Sequence, residues 1–168
     1  EIGVRLVGSE MCIRDRIQFR LGSGLSVLQP GEATEIIIAG MGAETVLEIL
    51  DAAPWVRNEQ YNFVFVPATK HSILRKGLAQ RGFALKSETL CRAAGRLYTV
   101  INAQYTGRAA EPTGLACLCG KTQGQPEAQA YREQQLVKLK KYRLGLAPGP
   151  QADGVDALIQ EMEDGLWP

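Results

Sequence analysis

Gly40-Met41-Gly42 follows directly on the β-branched run Ile36-Ile37-Ile38 and precedes the apolar-periodic stretch Ala43–Leu50. Two glycines at such a point let the backbone turn sharply and let a ligand come close to bare main chain. A strand, a Gly-x-Gly turn and a helix, in that order, form the place where an open α/β sheet binds small molecules. The dinucleotide fingerprint is incomplete, because no third glycine stands at the required spacing and no phosphate-loop Lys-Ser/Thr follows. On the residues alone, the same string also serves as a plain tight βα connection.

A second group with chemical potential is basic. Lys138, Lys140, Lys141 and Arg143 cluster near the C-terminus, with Arg132 close by. Such a group can follow nucleic-acid phosphates, and it can equally be the solvated face of a helix. The net charge is +1, so no global basic field adds to it. The one histidine, His71, is distant in sequence from the four cysteines, Cys12, Cys91, Cys117 and Cys119. Their spacing is not that of a zinc site, so no metal is expected and the thiols read as those of a reduced, cytoplasmic protein. No nucleophile–base–acid triad is visible, and catalytic residues remain unassigned. No apolar run is long enough to span a membrane.

The surrounding sequence predicts the elements that would position these groups. Ile36-Ile37-Ile38 lacks alternation, as in a strand covered on both faces. Val46, Leu47 and Leu50 share one helical face. Asn62–Val66 is a second buried strand, closed by Pro67. Residues 70–81 form a helix with Ile73, Leu74 and Leu78 on its apolar side, stopped by Gly82. Phe83–Leu90 alternates as a half-exposed strand and pairs with 97–104 across Ala93-Ala94-Gly95-Arg96. Ile17–Leu21 is a further short strand candidate. After a loop-rich stretch from Thr106 to Pro126, Glu127–Leu144 forms a charged helix with Tyr131, Leu136, Leu139 and Tyr142 as its apolar stripe. Ala147-Pro148-Gly149-Pro150 breaks it. Val155, Leu158, Ile159, Met162 and Leu166 then mark another helix. The fold class is α/β, a parallel sheet finished by an antiparallel β-hairpin, with an appended C-terminal helical hairpin.

Several strings carry a resemblance. Arg20-Leu21-Gly22-Ser23-Gly24-Leu25, Ile38-Ala39-Gly40-Met41-Gly42, the strand ending at Pro67, Leu74-Arg75 with Gly82-Phe83, and Gly95-Arg96-Leu97-Tyr98 together resemble the bacterial tRNA adenine-22 N1-methyltransferases. These are class I S-adenosylmethionine-dependent enzymes. The resemblance implies the C-terminal part of a Rossmann-like class I methyltransferase sheet, S-adenosyl-L-methionine as cofactor and tRNA as partner. It implies that Gly22, Ser23 and Gly24 face the cofactor adenine. Ala39, Gly40, Met41 and Gly42 would line cofactor and target base, although Ala39 also suits strand–helix packing. Arg132, Lys138, Lys140, Lys141 and Arg143 would meet tRNA phosphates. The family usually has Gly-Asp-Gly where this chain has Gly22-Ser23-Gly24.

Residues 1–16 resemble translated adapter sequence and are set aside as non-native. The family's upstream Asp-x-Gly-x-Asp-His signature is not in the chain. The expectation is therefore an N-terminally truncated fragment, inactive as it stands, with a partial methyltransferase domain at 17–110 and a loop and helical hairpin at 111–168. It predicts a four-stranded core from 35–39, 62–66, 83–90 and 97–104, with 17–21 poorly paired. Two alternatives stay open: another class I methyltransferase with a different substrate, or a non-catalytic α/β domain that binds RNA or a partner.

Overall fold

In the computed structural model, which describes residues 17–167, the chain runs β1 (Glu35–Ala39), α1 (Ala43–Ala52), a 3-10 turn (Pro54–Val56), β2 (Asn62–Val66) and α2 (His71–Gln80), followed by β3 (Phe83–Ala93) and β4 (Arg96–Tyr105). Helices α3 (Gly114–Cys119), α4 (Ala128–Leu144) and α5 (Pro150–Glu163) complete it. The expectation for residues 1–16, and Cys12 with it, lies outside the described residues. The sheet order is β1-β2-β4-β3, with β1 and β2 parallel and the other two pairings antiparallel. The four expected strands are thus present, and among the described residues the outer edge of β1 has no strand partner.

The core lies on one face of this sheet. Ile36 and Ile38 of β1, Phe63 and Phe65 of β2 and Ile101 and Ala103 of β4 pack against Val46, Leu47 and Leu50 of α1 and Leu74 and Leu78 of α2. Phe63 stacks on Phe65 and meets the edge of Phe83, an arrangement that suits the ring quadrupoles. The opposite face carries a cross-strand row, Ile37–Val64–Asn102–Ser87. Ile37 is 70% exposed there. This corrects the reading of β1 as covered on both faces: the strand alternates, because the described helices with buried partners sit on one side only. Its β-branched run reports strand propensity, not two-sided burial.

Two further corrections concern the chain ends. Residues 17–21 form no strand. Arg20 instead bonds the Glu32 carboxylate and the Val27 carbonyl, tying the segment to the loop before β1. Helix α5 ends at Glu163, with a turn at Asp164–Gly165 in which Gly165 takes φ +81°, so Leu166 leaves the helical face and is exposed. The apolar stripe of α4 also differs. Tyr142 is exposed, and the buried positions are Ala128, Tyr131, Arg132, Gln135 and Leu139, two of them polar.

The hairpin closes through Ala94 and Gly95, both at positive φ, as a two-residue turn matched to strand twist requires. A β-bulge between Leu85 and Ser87 interrupts β3. The extra residue reverses the alternation, so Glu88 and Leu90 point to the helical face after Phe83 has done so before it. Helix α3, which lies in the stretch read as loop, starts at Thr113, whose side chain accepts from the Ala116 N–H at 3.1 Å.

Candidate functional site

The carboxyl ends of the two parallel strands lie side by side, and their following loops are joined beyond the sheet. The Gly40 N–H donates to the Val66 carbonyl at 3.0 Å, and the Ala68 N–H donates to the Met41 carbonyl at 2.9 Å. Gly42 and Thr69 extend the pairing as a parallel bridge. The Gly40-Met41-Gly42 turn and the Pro67–Lys70 loop therefore form one backbone platform. Gly40 takes φ +77°, a conformation costly for any residue with a Cβ. A Cβ there would meet nothing within 4 Å, so the space before it is open. Ala39, Gly40, Met41, Ala68 and Thr69 are all exposed.

Lys70 holds the far side of the platform. It sits at φ +58°, rare for a non-glycine residue and of a kind that concentrates at functional sites. Its ammonium pairs with Glu44 in the first turn of α1, and this hydrogen bond holds the Glu44 carboxyl below the usual carboxylate range. Glu44 also stands at the helix N-terminus, where a negative charge is favoured.

Beneath the platform lies a buried polar cluster. Arg75 of α2 meets Glu88 of β3 with Nε and Nη2 at 2.9–3.1 Å from the carboxylate oxygens. Arg75 Nη1 donates to the Cys117 and Leu118 carbonyls of α3 at 2.8 and 3.1 Å, and Nη2 donates to the Tyr131 hydroxyl of α4 at 3.0 Å. Tyr131 lies 3.3 Å from Nδ1 of His71, whose Nε2 lies 3.1 Å from the Pro67 carbonyl. Burial pushes the His71 imidazole below its ordinary value; the Pro67 carbonyl opposes this, and the charges of Arg75 and Lys138 add to it. Burial pushes the Tyr131 phenol up, so it keeps its proton. The sequence alone points to no role for His71 and marks Pro67 as a strand end and Lys70 as a helix start. The available signal was a short polar run, Ala68-Thr69-Lys70, directly after the second buried strand.

The other expected site residues fall in different places. Gly22 and Ser23 are exposed, and Gly24, at φ +54°, lies against Ile49 of α1. Ile49 is about 10 Å along the helix from Gly42 by α-helical rise, so Gly22–Gly24 flank the helix rather than the turn. Of the basic group, Lys138 and Lys141 are exposed and have no ion-pair partner among the described residues. Lys140 pairs with Glu163 at 2.5 Å and Arg143 with Asp156 at 2.8 Å. Arg132 is 5% exposed. Its guanidinium donates to the Glu161, Met162 and Leu166 carbonyls and lies over the Trp167 ring. It is thus placed as a cap on the end of α5 and not on the solvent face.

Among the described residues no group of His, Cys, Asp and Glu could hold a metal ion, and no helix is long and apolar enough to cross a membrane. Cys91, Cys117 and Cys119 are free thiols, and burial pushes the last two up. A cleft of about 1020 Å³ lined by Arg75, Phe83, Glu88, Arg108, Gly120 and Lys121 reaches from the start of β3 and the end of β4 to the buried Arg75–Glu88 pair.

A family profile described as methyltransferase domain matches residues 7–101, more than half of the chain. The chain is 30% identical over 130 residues to the tRNA (adenine(22)-N(1))-methyltransferase of Bacillus subtilis, a match that covers 77% of this chain and 53% of that protein. It thus spans about half the length of that curated relative. The crystal structure of the B. subtilis M1A22 tRNA methyltransferase superposes with a TM-score of 0.68 at 22% identity, covering 92% of this chain and 69% of that one. A Streptococcus pneumoniae protein solved in complex with S-adenosyl-L-methionine gives a TM-score of 0.68 at 18% identity, covering 90% and 69%. These likenesses show the fold: a Rossmann-like methyltransferase sheet of parallel strands plus an antiparallel hairpin, with C-terminal helices.

Proposed function

The chain belongs to the methyltransferase-domain family, and on that premise we propose that it forms part of an S-adenosylmethionine-dependent enzyme that methylates N1 of an adenine in tRNA. The observation that carries this reading is the exposed backbone platform at the carboxyl ends of β1 and β2, where Gly40 leaves open space before bare main chain. The sequence likeness to the B. subtilis enzyme supports the choice of target base. tRNA as substrate places the protein in the cytoplasm.

The residues present fit the cofactor. At Gly40 a Cβ would meet nothing within 4 Å, so the open space leaves the main chain accessible to a ligand. When bound, S-adenosyl-L-methionine supplies an electrophilic methyl group. Adenine N1 has its own ring lone pair with which it would take that methyl as the carbon–sulfur bond breaks and its electron pair returns to sulfur, so no strong base would be required and no triad has to be present. The chain's own contribution is position and environment. Ala39, Gly40, Met41 and Gly42 present exposed main chain and the Met41 thioether to the reacting groups. The Gly40 amide and Met41 carbonyl are spent on Val66 and Ala68, which keeps the turn rigid. Gly22, Ser23 and Gly24 flank α1 about 10 Å from the turn, so in this reading they would meet only the adenine end of the cofactor, away from the reacting methyl group. Lys138 and Lys141, without an ion-pair partner among the described residues, offer charge to RNA phosphates, with Lys140 and Arg143 beside them.

The test uses the protein encoded by the genomic reading frame that contains this sequence. Incubated with S-adenosyl-L-methionine and an unmodified tRNA transcript, it yields N1-methyladenosine on nuclease digestion and mass spectrometry. A methyl group found on another atom, or only on a non-RNA acceptor, would overturn the reading.

A further inference from the structure

The Pro67 carbonyl and the Ala68 N–H belong to one planar peptide group, and both sides of it are held. The N–H donates to the Met41 carbonyl at 2.9 Å. The carbonyl faces His71 Nε2 at 3.1 Å. A carbonyl only accepts, so Nε2 must carry a proton, and in the neutral ring Nδ1 is then an acceptor. The group facing Nδ1 is the Tyr131 hydroxyl at 3.3 Å, which donates to it. The same hydroxyl accepts from Arg75 Nη2 at 3.0 Å. Every donor in the chain thus points one way: Arg75 to Tyr131, Tyr131 to His71, His71 to Pro67. The source is an arginine fixed by Glu88 and fully buried.

We propose that His71 is a positioning residue: seated by Tyr131 of α4, it locks the Pro67–Ala68 peptide and through it the Met41 turn, so that the C-terminal helices govern the geometry of the platform. Hydrogen bonds aligned in this way polarise one another, and a peptide gripped on both sides cannot flip without losing both contacts. The titratable groups that face the ring are Arg75 on its own helix and Tyr131 and Lys138 on α4; β2 contributes only the Pro67 carbonyl. Burial first, and the two cations with it, favour the neutral ring that the relay requires, against the opposing Pro67 carbonyl. The use of the lock in methyl transfer rests on the function proposed above; the lock itself does not.

His71 is the single histidine of this sequence, and in the full protein its imidazole ¹⁵N signals are assigned as those lost in His71→Ala. They should show the Nε2–H tautomer with Nδ1 as an acceptor. Tyr131→Phe removes one hydroxyl and keeps the ring. It should raise the His71 titration midpoint and speed exchange of the Ala68 amide by about fivefold, the weight of one net hydrogen bond. His71→Ala should speed that exchange as well, while His71→Gln, which retains an N–H donor near the Nε2 position, should restore protection. An Nδ1–H tautomer, or an Ala68 exchange rate unchanged in both Tyr131→Phe and His71→Ala, would overturn the proposal. These spectra need neither cofactor nor RNA, so they judge the lock separately from the methyl-transfer assay.

Discussion

Arg75 and Glu88 meet as a bidentate ion pair with side chains 1% and 0% exposed, and the pair joins α2, β3, α3 and α4 at one point. Two charges so buried are costly to bring out of water, and their value lies in being complete. Here the guanidinium spends its remaining donors on two α3 carbonyls and the Tyr131 hydroxyl, so the group is satisfied in full. The C-terminal helices are thereby anchored to the sheet through polar contacts as well as through Leu90, Ala128 and Tyr131.

Removing one partner should be much worse than removing both. Glu88→Gln leaves the Arg75 charge buried without its counterion and should cost about 3–5 kcal/mol in urea unfolding. The double replacement Arg75→Met with Glu88→Leu should recover a large part of that loss. A Glu88→Gln variant as stable as the parent would contradict the pair's role.

Two glycines separate backbone strain from packing. Gly40→Ala introduces a Cβ at φ +77° into open space and should cost about 1–2 kcal/mol. Gly120→Ala does so at φ +62°, with the Cβ 2.2 Å from Glu88 Oε2 and 2.5 Å from Arg75 Nε, and should be clearly more destabilising. Chemical denaturation of the two variants reads the difference. If the proposed function holds, Gly40→Ala should also lower methyl transfer by about tenfold or more, since misplacement of a reacting group by a small distance is expensive.

The basic residues of α4 should divide by their partners. Lys138→Gln and Lys141→Gln should each weaken tRNA binding and lower the salt dependence by about one ion, because neither has an ion-pair partner among the described residues. Lys140→Gln and Arg143→Gln should do less, since Glu163 and Asp156 already offset those charges. Arg132→Met should leave the salt slope unchanged and lower stability by uncapping α5. Fluorescence anisotropy across a salt series, beside a melting curve, distinguishes the three outcomes.

Acid should act in two windows. Burial holds the His71 imidazole below its ordinary 6.5, so the unfolded chain binds the proton more readily. The stability carried by the neutral ring is full above pH 6.5 and is lost as pH falls from there through the lower folded value. Glu32 behaves as a depressed carboxylate. The Arg20 side chain first, and the Gln29 N–H second, hold it down from 4.5 to about 2. Its contribution is full above pH 4.5 and disappears as pH falls to about 2. Carboxyl ¹³C titration checks this, and Arg20→Gln should return the Glu32 midpoint toward its ordinary value.

The sequence by itself determined the succession of strand, helix, strand, helix and hairpin, the Gly-x-Gly turn at the end of β1, and two C-terminal helices, one over Glu127–Leu144 and one carrying Val155, Leu158, Ile159 and Met162; Pro150, read as part of the break, is in fact the first residue of α5. Periodicity, glycine and proline act over a few residues, and each of those features is local. Only the tertiary structure decided which face of β1 would be covered, and so left Ile37 in solvent. It decided that the bulge in β3 turns Glu88 inward, that Arg132 caps α5 while Lys138 stays free of ion pairs among the described residues, and that His71 meets a tyrosine 60 positions away. A strand pattern is compatible with more than one register, and a basic residue on a helix is compatible with several partners. Those choices are made by packing between elements distant in sequence, where burial removes water as a competing partner and a charge or hydroxyl must find its match within the protein.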